Sequence, residues 1–213
     1  VRGEDRSADG FGGHLVVSHN AHIWIAVLHG IVPVEPDGSA CFEVPAGRSL
    51  YLAALDEHDL SVKQMRSFLT VMPGERASCV GCHEDRGATP PAAASTLAAR
   101  RGPSPITPIP DVPGILDFPR DIQPILDKHC VECHDYDRRE GRVILTGDRG
   151  PIFSHSYYTL TALGFVSDGR DRVSTNLAPR AVGASASPLM KMIDGSHYGA
   201  TLTRHEQDMI RYW

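Results

Sequence analysis

The chain has 213 residues, of which 41% are hydrophobic and 22% are charged, and its net charge is −5 at pH 7. This composition excludes a disordered or fibrous chain, and the length suits one large domain or two small ones. The sequence contains no apolar run long enough for a membrane span and no basic tract, so we expect neither a membrane-spanning helix nor a nucleic-acid partner.

The segment from residue 14 to residue 72 predicts a β-rich unit. Its short apolar stretches are separated by turn signals, of which Pro36-Asp37-Gly38 is the clearest. The predicted strands are Leu15–Ser18, Ile23–Leu28, Ile31–Val34, Ala40–Val44, Leu50–Ala54, Val62–Arg66 and Phe68–Met72. Short strands at this spacing are typical of a small sandwich. We therefore expect a β-sandwich-like N-terminal unit over residues 1–87.

Residues 88–114 are rich in proline and alanine and predict an extended, semi-rigid linker. The patterns after this segment are helical, so we expect a mainly helical unit over residues 115–213. An apolar face predicts a helix over Asp121–Lys128, and a second helix is predicted over Ser154–Leu163. The chain as a whole is therefore expected to be α+β, with two units joined by the linker.

Two further helices are predicted from their first residues. Ser187 followed by Pro188 is typical of a helix start, and it opens the predicted helix Leu189–Ile193. Thr203 and Glu206 form a capping box for a last helix whose apolar stripe is Met209, Ile210 and Trp213. Because this last pattern has no C-terminal cap, we expect the parent protein to continue past Trp213.

Four of the five cysteines form two identical motifs. Cys79 and Cys82 precede His83, and Cys130 and Cys133 precede His134, so that each motif reads C-x-x-C-H. This is the attachment signal of c-type haem. The two thiols add to the haem vinyl groups, and the histidine reaches the iron from one face. The sequence therefore predicts two covalent haem c groups, one in each unit.

Three other interpretations of the motifs explain the sequence less well. A thioredoxin-like redox pair needs a flanking βαβ pattern, which is missing here, and a zinc site normally spaces its two C-x-x-C halves by about 15–20 residues. A pair of disulfides would leave both histidines unexplained. Because covalent haem c is assembled outside the cytoplasm, the haem interpretation also predicts a periplasmic or extracellular location.

The sixth ligand of each iron has to come from elsewhere in the chain or be absent. For the second haem we favour His197, with Met190 and Met192 as alternatives that fit a helix core better. For the first haem the candidates are His129, which could reach a neighbouring iron, and His155. Each of these histidines could instead be a hydrogen-bonded structural residue.

Other histidines and the fifth cysteine have two interpretations each. His14, His19, His22 and His29 crowd the N-terminal unit and are either ordinary strand and turn residues or ligands to a haem. Ligation in a neighbouring copy would join the haems of several copies into a chain. Cys41 is either a small buried apolar side chain or a metal ligand or reactive thiol.

Several stretches of the chain together carry a family resemblance. In the N-terminal unit they are Val32-Pro33-Val34-Glu35-Pro36-Asp37-Gly38-Ser39-Ala40, Val44-Pro45-Ala46, Ala54-Leu55-Asp56-Glu57, Met65-Arg66-Ser67, Pro73-Gly74-Glu75 and Ser78-Cys79-Val80-Gly81-Cys82-His83-Glu84. In the helical unit they are Asp121-Ile122-Gln123-Pro124-Ile125-Leu126-Asp127, Cys133-His134, Ser187-Pro188-Leu189, Gly195-Ser196-His197-Tyr198 and Leu202-Thr203. Over roughly residues 30–213 the chain resembles the di-haem C-terminal region of proteins related to the hydrazine synthase alpha subunit. The helical unit also resembles the planctomycete-type cytochrome c domain.

The resemblance implies a redox protein, but this chain departs from the family pattern at two places. The resemblance implies that in the synthase itself a tyrosine shortly after the first motif binds the catalytic iron, whereas Glu84-Asp85-Arg86-Gly87 follows His83 here. Gly183-Ala184-Ser185 also stands where many relatives have a Gly-Ser-His segment. Two ordinary low-spin haems are therefore expected.

These observations lead to three hypotheses of function. The first is an electron-transfer di-haem cytochrome with redox partner proteins, or with further copies of itself. The alternative is a redox enzyme that acts on a small nitrogen or oxygen compound at a five-coordinate haem, and the third is an interaction module. No catalytic side chain is predicted, and the sixth ligand is the feature that discriminates between the first two hypotheses.

Overall fold

The computed structural model describes residues 26–65, 68–81, 95–169 and 177–213, and these are mixed α and β. The strands are β1 (Ala53–Leu55) and β2 (Ser61–Gln64). The α-helices are α1 (Leu97–Arg101), α2 (Gln123–His129), α3 (His155–Ala162), α4 (Pro188–Met192) and α5 (Arg204–Tyr212). A π-helical turn, Phe118–Ile122, leads into α2, and 3₁₀ turns occupy Glu140–Arg142 and Ala184–Ala186.

The predicted β-sandwich is wrong for the described part of the N-terminal unit. Its one sheet there is the antiparallel pair β1–β2, and the other pairings are single bridges such as Leu50 with Leu69. Between residues 26 and 81 only Leu50, Ser61 and Val71 are buried among the described residues, whereas Val34 is 63% exposed. A sandwich needs two sheets that share a buried face, and these short stretches bury too little to make one. Leu15–Ser18 and residues 23–25 lie outside the described residues.

The described part of the predicted linker, residues 95–114, does not simply cross between units. It contains α1, and it pairs with the N-terminal unit through the bridge between Ile31 and Thr107 and the bridge between Phe42 and Ser104. At the start of α1, the Leu97 N–H donates to the Asp37 carboxylate at 2.8 Å. The extended form is therefore corrected only for α1, and the bridged residues that follow it pair their backbone groups with the preceding segment.

The predicted helices of the second unit are confirmed. α2 and α3 lie where the apolar patterns placed them, and α5 begins with the capping box, in which Thr203 N–H donates to Glu206 Oε2 at 2.8 Å. The buried faces of these helices and of the segments between them form a core of fourteen residues: Phe118, Ile122, Ile125, Leu126, Leu145, Tyr157, Leu160, Val166, Leu189, Ile193, Leu202, Met209, Ile210 and Trp213. This core positions the end of α2 and the segment between α4 and α5.

One helix start differs in detail from its prediction. Ser187 is the N-cap residue of α4, but its side chain makes no capping hydrogen bond. Its hydroxyl instead donates to Gly183 O at 2.8 Å and accepts from Ser167 N–H at 2.9 Å. Ser187 therefore joins α4 to the segments that precede it.

The β1–β2 hairpin docks on the segment that precedes α4. Arg180 N–H donates to Val62 O at 2.8 Å, and the Ser61 hydroxyl donates to Val182 O at 3.1 Å. Gly183 lies in this contact with φ of +78°, and a Cβ atom there would be 2.2 Å from the Ser61 hydroxyl oxygen. Only glycine satisfies both the backbone angle and the close approach.

The close approach at Gly183 leads to a prediction about stability. Gly183→Ala is expected to lower the free energy of unfolding by about 2–4 kcal/mol, because it adds overpacking to the cost of a left-handed residue. Gly164→Ala is the matched control, since Gly164 has φ of +79° and no atom within 4 Å of its added Cβ. The control is expected to cost about 1 kcal/mol. Equal losses in chemical denaturation would contradict the docking contact.

Candidate haem site

The second C-x-x-C-H motif begins where α2 ends. Leu126 is fully buried, and its carbonyl accepts hydrogen bonds from the Cys130 N–H at 2.8 Å and the Val131 N–H at 3.0 Å. The chain then turns tightly, so that the N–H groups of Cys133 and His134 both donate to Cys130 O at 3.1 Å. The buried face of α2 therefore fixes both cysteines and the histidine on one compact turn.

The two thiols of this turn lie in different surroundings. Cys130 is half-buried, and its pKa is raised to about 11 by burial and by the neighbouring Cys133. Cys133 is exposed, with Arg138 Nη1 3.8 Å from its sulfur. Both are free thiols, so the disulfide interpretation is wrong for this pair. Cys130 is protonated at neutral pH, and conversion to a thioether would remove the titratable group.

The described residues show no assembled zinc site at this turn, and Cys82 and His83, which a site shared by the two motifs would use, lie outside them. In the described ranges, no three histidine, cysteine or acidic side chains approach closely enough to hold a metal ion together. A structural zinc site needs four such ligands. A haem c group has a different requirement, because the thiols bond to the porphyrin and only the histidine binds the iron.

The structure brings His134 and His197 together. Their imidazole rings are nearly parallel, with an interplanar angle of 12° and ring centroids 6.0 Å apart. Two imidazoles whose nitrogens are each about 2 Å from a shared metal ion have their centroids about 6 Å apart. The two rings therefore have the separation that axial ligands on opposite faces of one haem would need.

One nitrogen of His134 is unusual for a metal-binding histidine. Its Nδ1 atom is buried and has no hydrogen-bond partner among the described residues. A histidine that binds a metal almost always donates its other ring N–H to a protein group or water, so this atom does not support the fit. The other positions do, because Cys130, Cys133 and His134 lie on one turn and His197 faces His134, and these four residues would hold a haem c group.

His129 has a protein partner that the sequence analysis did not identify. Its Nε2 atom is 3.1 Å from Glu206 Oε1, and the His129 side chain is only 14% exposed. Lys128 binds the same oxygen at 2.8 Å. Burial raises the pKa of Glu206, but hydrogen bonds from Lys128, His129 and Thr203 outweigh this and lower it to about 2. His129 thus joins the end of α2 to the start of α5, and a ligand role would require breaking this contact.

The lowered pKa of Glu206 leads to a prediction about pH dependence. A carboxyl group with a depressed pKa in the folded state stabilises the protein above its unfolded pKa, near 4.5, and that stabilisation is lost as the pH falls towards 2. Glu206→Gln is expected to cost about 1 kcal/mol at pH 7 through the weakened cap and to reduce the slope of stability between pH 4.5 and 2. The measurement is denaturant unfolding across this range. An unchanged slope would contradict the assignment.

The other predicted ligands lie in different surroundings. His155 begins α3, and its ring meets that of Tyr136 edge to face, with centroids 5.8 Å apart. Met190 packs against the core, as its helix pattern indicated, and Met192 is half-buried on α4. Cys41 is a half-buried free thiol whose backbone carbonyl accepts from Ser104 N–H.

Most of the first motif lies outside the described residues. Cys79 is described and is an exposed free thiol, whereas Cys82 and His83 lie outside. His14, His19 and His22 also lie outside, and His29 is exposed. The first haem, its sixth ligand and the haem chain between copies therefore stay predictions.

Sequence reasoning missed three residues around the second motif. Glu206 was recognised as a capping residue but not as the partner of His129, and Tyr198, whose ring meets that of His197 edge to face at 4.9 Å, was not singled out. Asp194 was also missed. Its position two residues before a serine was an available signal, because such aspartates often accept hydrogen bonds within a turn.

Comparison with known families relates part of the chain to one of them. Residues 3–84 match the family model of the hydrazine synthase alpha subunit middle domain. This N-terminal segment is related to the hydrazine synthase alpha subunit. The relationship expected from the sequence is thereby confirmed over this range, which includes the whole first motif, although the matching region is a middle domain and not a C-terminal one.

The match does not extend to the second unit. It covers less than half of the chain, and residues 85–213 lie outside it. The chain matches no curated protein and no solved structure. Among the helices of the described residues, none reaches the length and hydrophobicity that a membrane crossing requires.

Proposed function

We propose that the second unit carries a covalent haem c and that the protein is an electron-transfer cytochrome. Cys130 and Cys133 would form the thioethers, and His134 and His197 would bind the iron from opposite faces. The observation that carries the proposal is the pair of nearly parallel imidazoles 6.0 Å apart, of which His134 directly follows a C-x-x-C sequence. The first motif, Cys79, Cys82 and His83, is proposed to hold a second haem c.

The choice of electron transfer follows from the number of ligands. An iron with two protein ligands has no open position for a substrate, so its chemistry is the gain and loss of one electron. Two histidines also favour a lower reduction potential than a histidine and a methionine, since methionine ligation raises it. The residues of this chain would set the orientation of the haem and the identity of its axial ligands.

Location and partners follow from the same proposal. Attachment of haem c outside the cytoplasm would place the protein in the periplasm or beyond the cell. Its partners would be redox proteins, and its net charge of −5 would favour basic docking surfaces. Self-association through a histidine of the N-terminal unit would join haems of neighbouring copies.

The family match favours a second candidate function. Because residues 3–84 are related to a hydrazine synthase subunit, the first haem could instead be five-coordinate and act on a small nitrogen or oxygen compound. This candidate concerns the first motif alone, since the second iron would be closed by His197. Carbon monoxide separates the two functions, because it binds only to an open iron.

The test is spectroscopy of the protein produced with a haem c maturation system. We expect a mass increase of two haem groups, a pyridine haemochrome spectrum typical of thioether linkage, low-spin signals in the ferric protein, and a ferrous absorption spectrum that carbon monoxide leaves unchanged. The double variant Cys130→Ser/Cys133→Ser should carry one haem fewer, whereas Cys41→Ser should carry the full number. Unmodified protein from this system would overturn the proposal.

A further inference from the structure

The segment between α4 and α5 is a closed loop that presents His197. Its two ends are anchored in the core by Ile193, which is 2% exposed, and Leu202, which is 5% exposed. Between them, Asp194 and Thr201 form an antiparallel bridge, so that the loop closes on itself. His197 lies at the far side of this closure, and its carbonyl accepts a hydrogen bond from Ala200 N–H at 2.9 Å.

Asp194 is the side chain that organises the loop. Its Oδ1 atom accepts the Ser196 backbone N–H at 2.8 Å, and its contacts with Ser196 lower the pKa of Asp194. The Ser196 hydroxyl also lies 3.3 Å from Lys191 O, in the last turn of α4. The residue directly before His197 is therefore tied both to Asp194 and to α4.

The backbone of the loop is strained in a way that needs such support. Gly195, Tyr198 and Gly199 all have positive φ angles, of 96°, 48° and 78°. The left-handed region costs a non-glycine residue such as Tyr198 about 1–2 kcal/mol. Tyr198 is also 96% exposed, so burial of its side chain does not offset that cost. The loop's own hydrogen bonds are what keep it in this form.

We infer that Asp194 is a positioning residue, which acts through the Ser196 turn to hold the His197 imidazole parallel to that of His134. The inference rests on the proposed function, because it assigns a role to Asp194 only if His197 is an axial ligand. Groups that hydrogen-bond to a metal-binding residue on the side away from the metal set the orientation of that residue. Their loss commonly weakens metal binding. Asp194 touches neither the iron nor the haem and acts on the backbone that carries the ligand.

A second copy of the same turn in this chain provides the matched control. Asp37-Gly38-Ser39 repeats the sequence Asp194-Gly195-Ser196. In both turns the aspartate Oδ1 accepts the serine N–H, at 3.1 Å for Ser39. The Asp37 turn also caps α1 through Leu97 and lies in the N-terminal unit. Asp37→Ala therefore removes the same type of turn without touching the loop of His197.

The experiment uses the ferric di-haem protein and its electron paramagnetic resonance spectrum. The angle between two axial imidazole planes sets the anisotropy of a low-spin ferric haem, and parallel planes give a rhombic signal. Asp194→Ala is expected to replace the rhombic signal of one haem by a more anisotropic one and to raise the carbon-monoxide-binding fraction of the ferrous protein about tenfold, as expected for losing a hydrogen bond to a charged group. Asp194→Asn, which keeps an acceptor oxygen, should stay close to the unsubstituted protein, as should Asp37→Ala.

Further variants distinguish a failure of this inference from a failure of the proposed function. Ser196→Ala removes one hydroxyl donor and should move the signal in the same direction by a smaller amount, which keeps the test available if Asp194→Ala does not fold. Unchanged spectra for both variants, with a changed spectrum for His197→Ala, would overturn this inference alone. An unchanged spectrum for His197→Ala would overturn the axial assignment in the proposed function and the role of Asp194 with it.

Discussion

His197→Ala is expected to convert one of the two proposed haems from low-spin to high-spin and to let its ferrous form bind carbon monoxide. The reason is geometric, because His197 is the imidazole that faces His134 at 6.0 Å in the described structure. Removing it leaves the iron with one protein ligand. Absorption and paramagnetic resonance spectra, with and without carbon monoxide, measure the change.

Two further variants make this result specific. His205→Ala is the control, since His205 lies on α5 with its side chain exposed, and it should leave both haems low-spin. His197→Met should keep the iron six-coordinate and raise its reduction potential on the order of 100 mV, a fraction of the roughly 0.8 V that axial ligands span. A His197→Ala protein that stays low-spin and ignores carbon monoxide would show that another residue closes the iron.

Phe118→Ala is expected to lower the free energy of unfolding by about 4 kcal/mol, near the middle of the range for a buried phenylalanine. Phe118 is 1% exposed, and its ring meets those of Tyr157 and Trp213, with centroids 5.2 and 5.0 Å away. It begins the π-helical turn that leads into α2. The substitution would therefore open a cavity beneath the helix that ends at the haem motif.

The exposed ring of Phe68 provides the control for this prediction. Phe68 is 57% exposed and has a tilted contact with Tyr51, so Phe68→Ala should cost less than about 1 kcal/mol. Denaturant unfolding followed by circular dichroism and by haem absorbance would measure both variants. Similar losses for Phe118→Ala and Phe68→Ala would mean that the aromatic cluster of Phe118, Tyr157 and Trp213 is not the centre of the core.

The effects expected for His197→Ala and Phe118→Ala both depend on the core of the second unit. Phe118, Ile122 and Leu126 bury one face of the π-helical turn and α2, and α2 carries Cys130 at its end. On the other side, α4 and α5 anchor the loop of His197 in the same core. The core thus holds both proposed axial ligands, from segments that approach it separately. Rigid elements of this kind hold a ligand set in place more accurately than free loops do.

The sequence by itself determined the features that depend on neighbouring residues. The spacing of Cys130, Cys133 and His134 defines a haem motif without reference to the fold. The apolar face of Asp121–Lys128 and the capping box of Thr203 and Glu206 also determine helices locally, and the structure confirms both. Such patterns are readable because their partners lie within one or two turns of the same helix.

The tertiary structure alone decided which distant residues meet. His134 and His197 are 63 positions apart in the sequence, and their parallel arrangement depends on where the core anchors Ile193 and Leu202. The sequence indicated His129 as a candidate ligand, whereas in the structure its imidazole contacts Glu206 of α5. The predicted sandwich is wrong in the described residues for the same reason. Alternating apolar residues form a second sheet only when the tertiary structure provides an apolar surface that buries them.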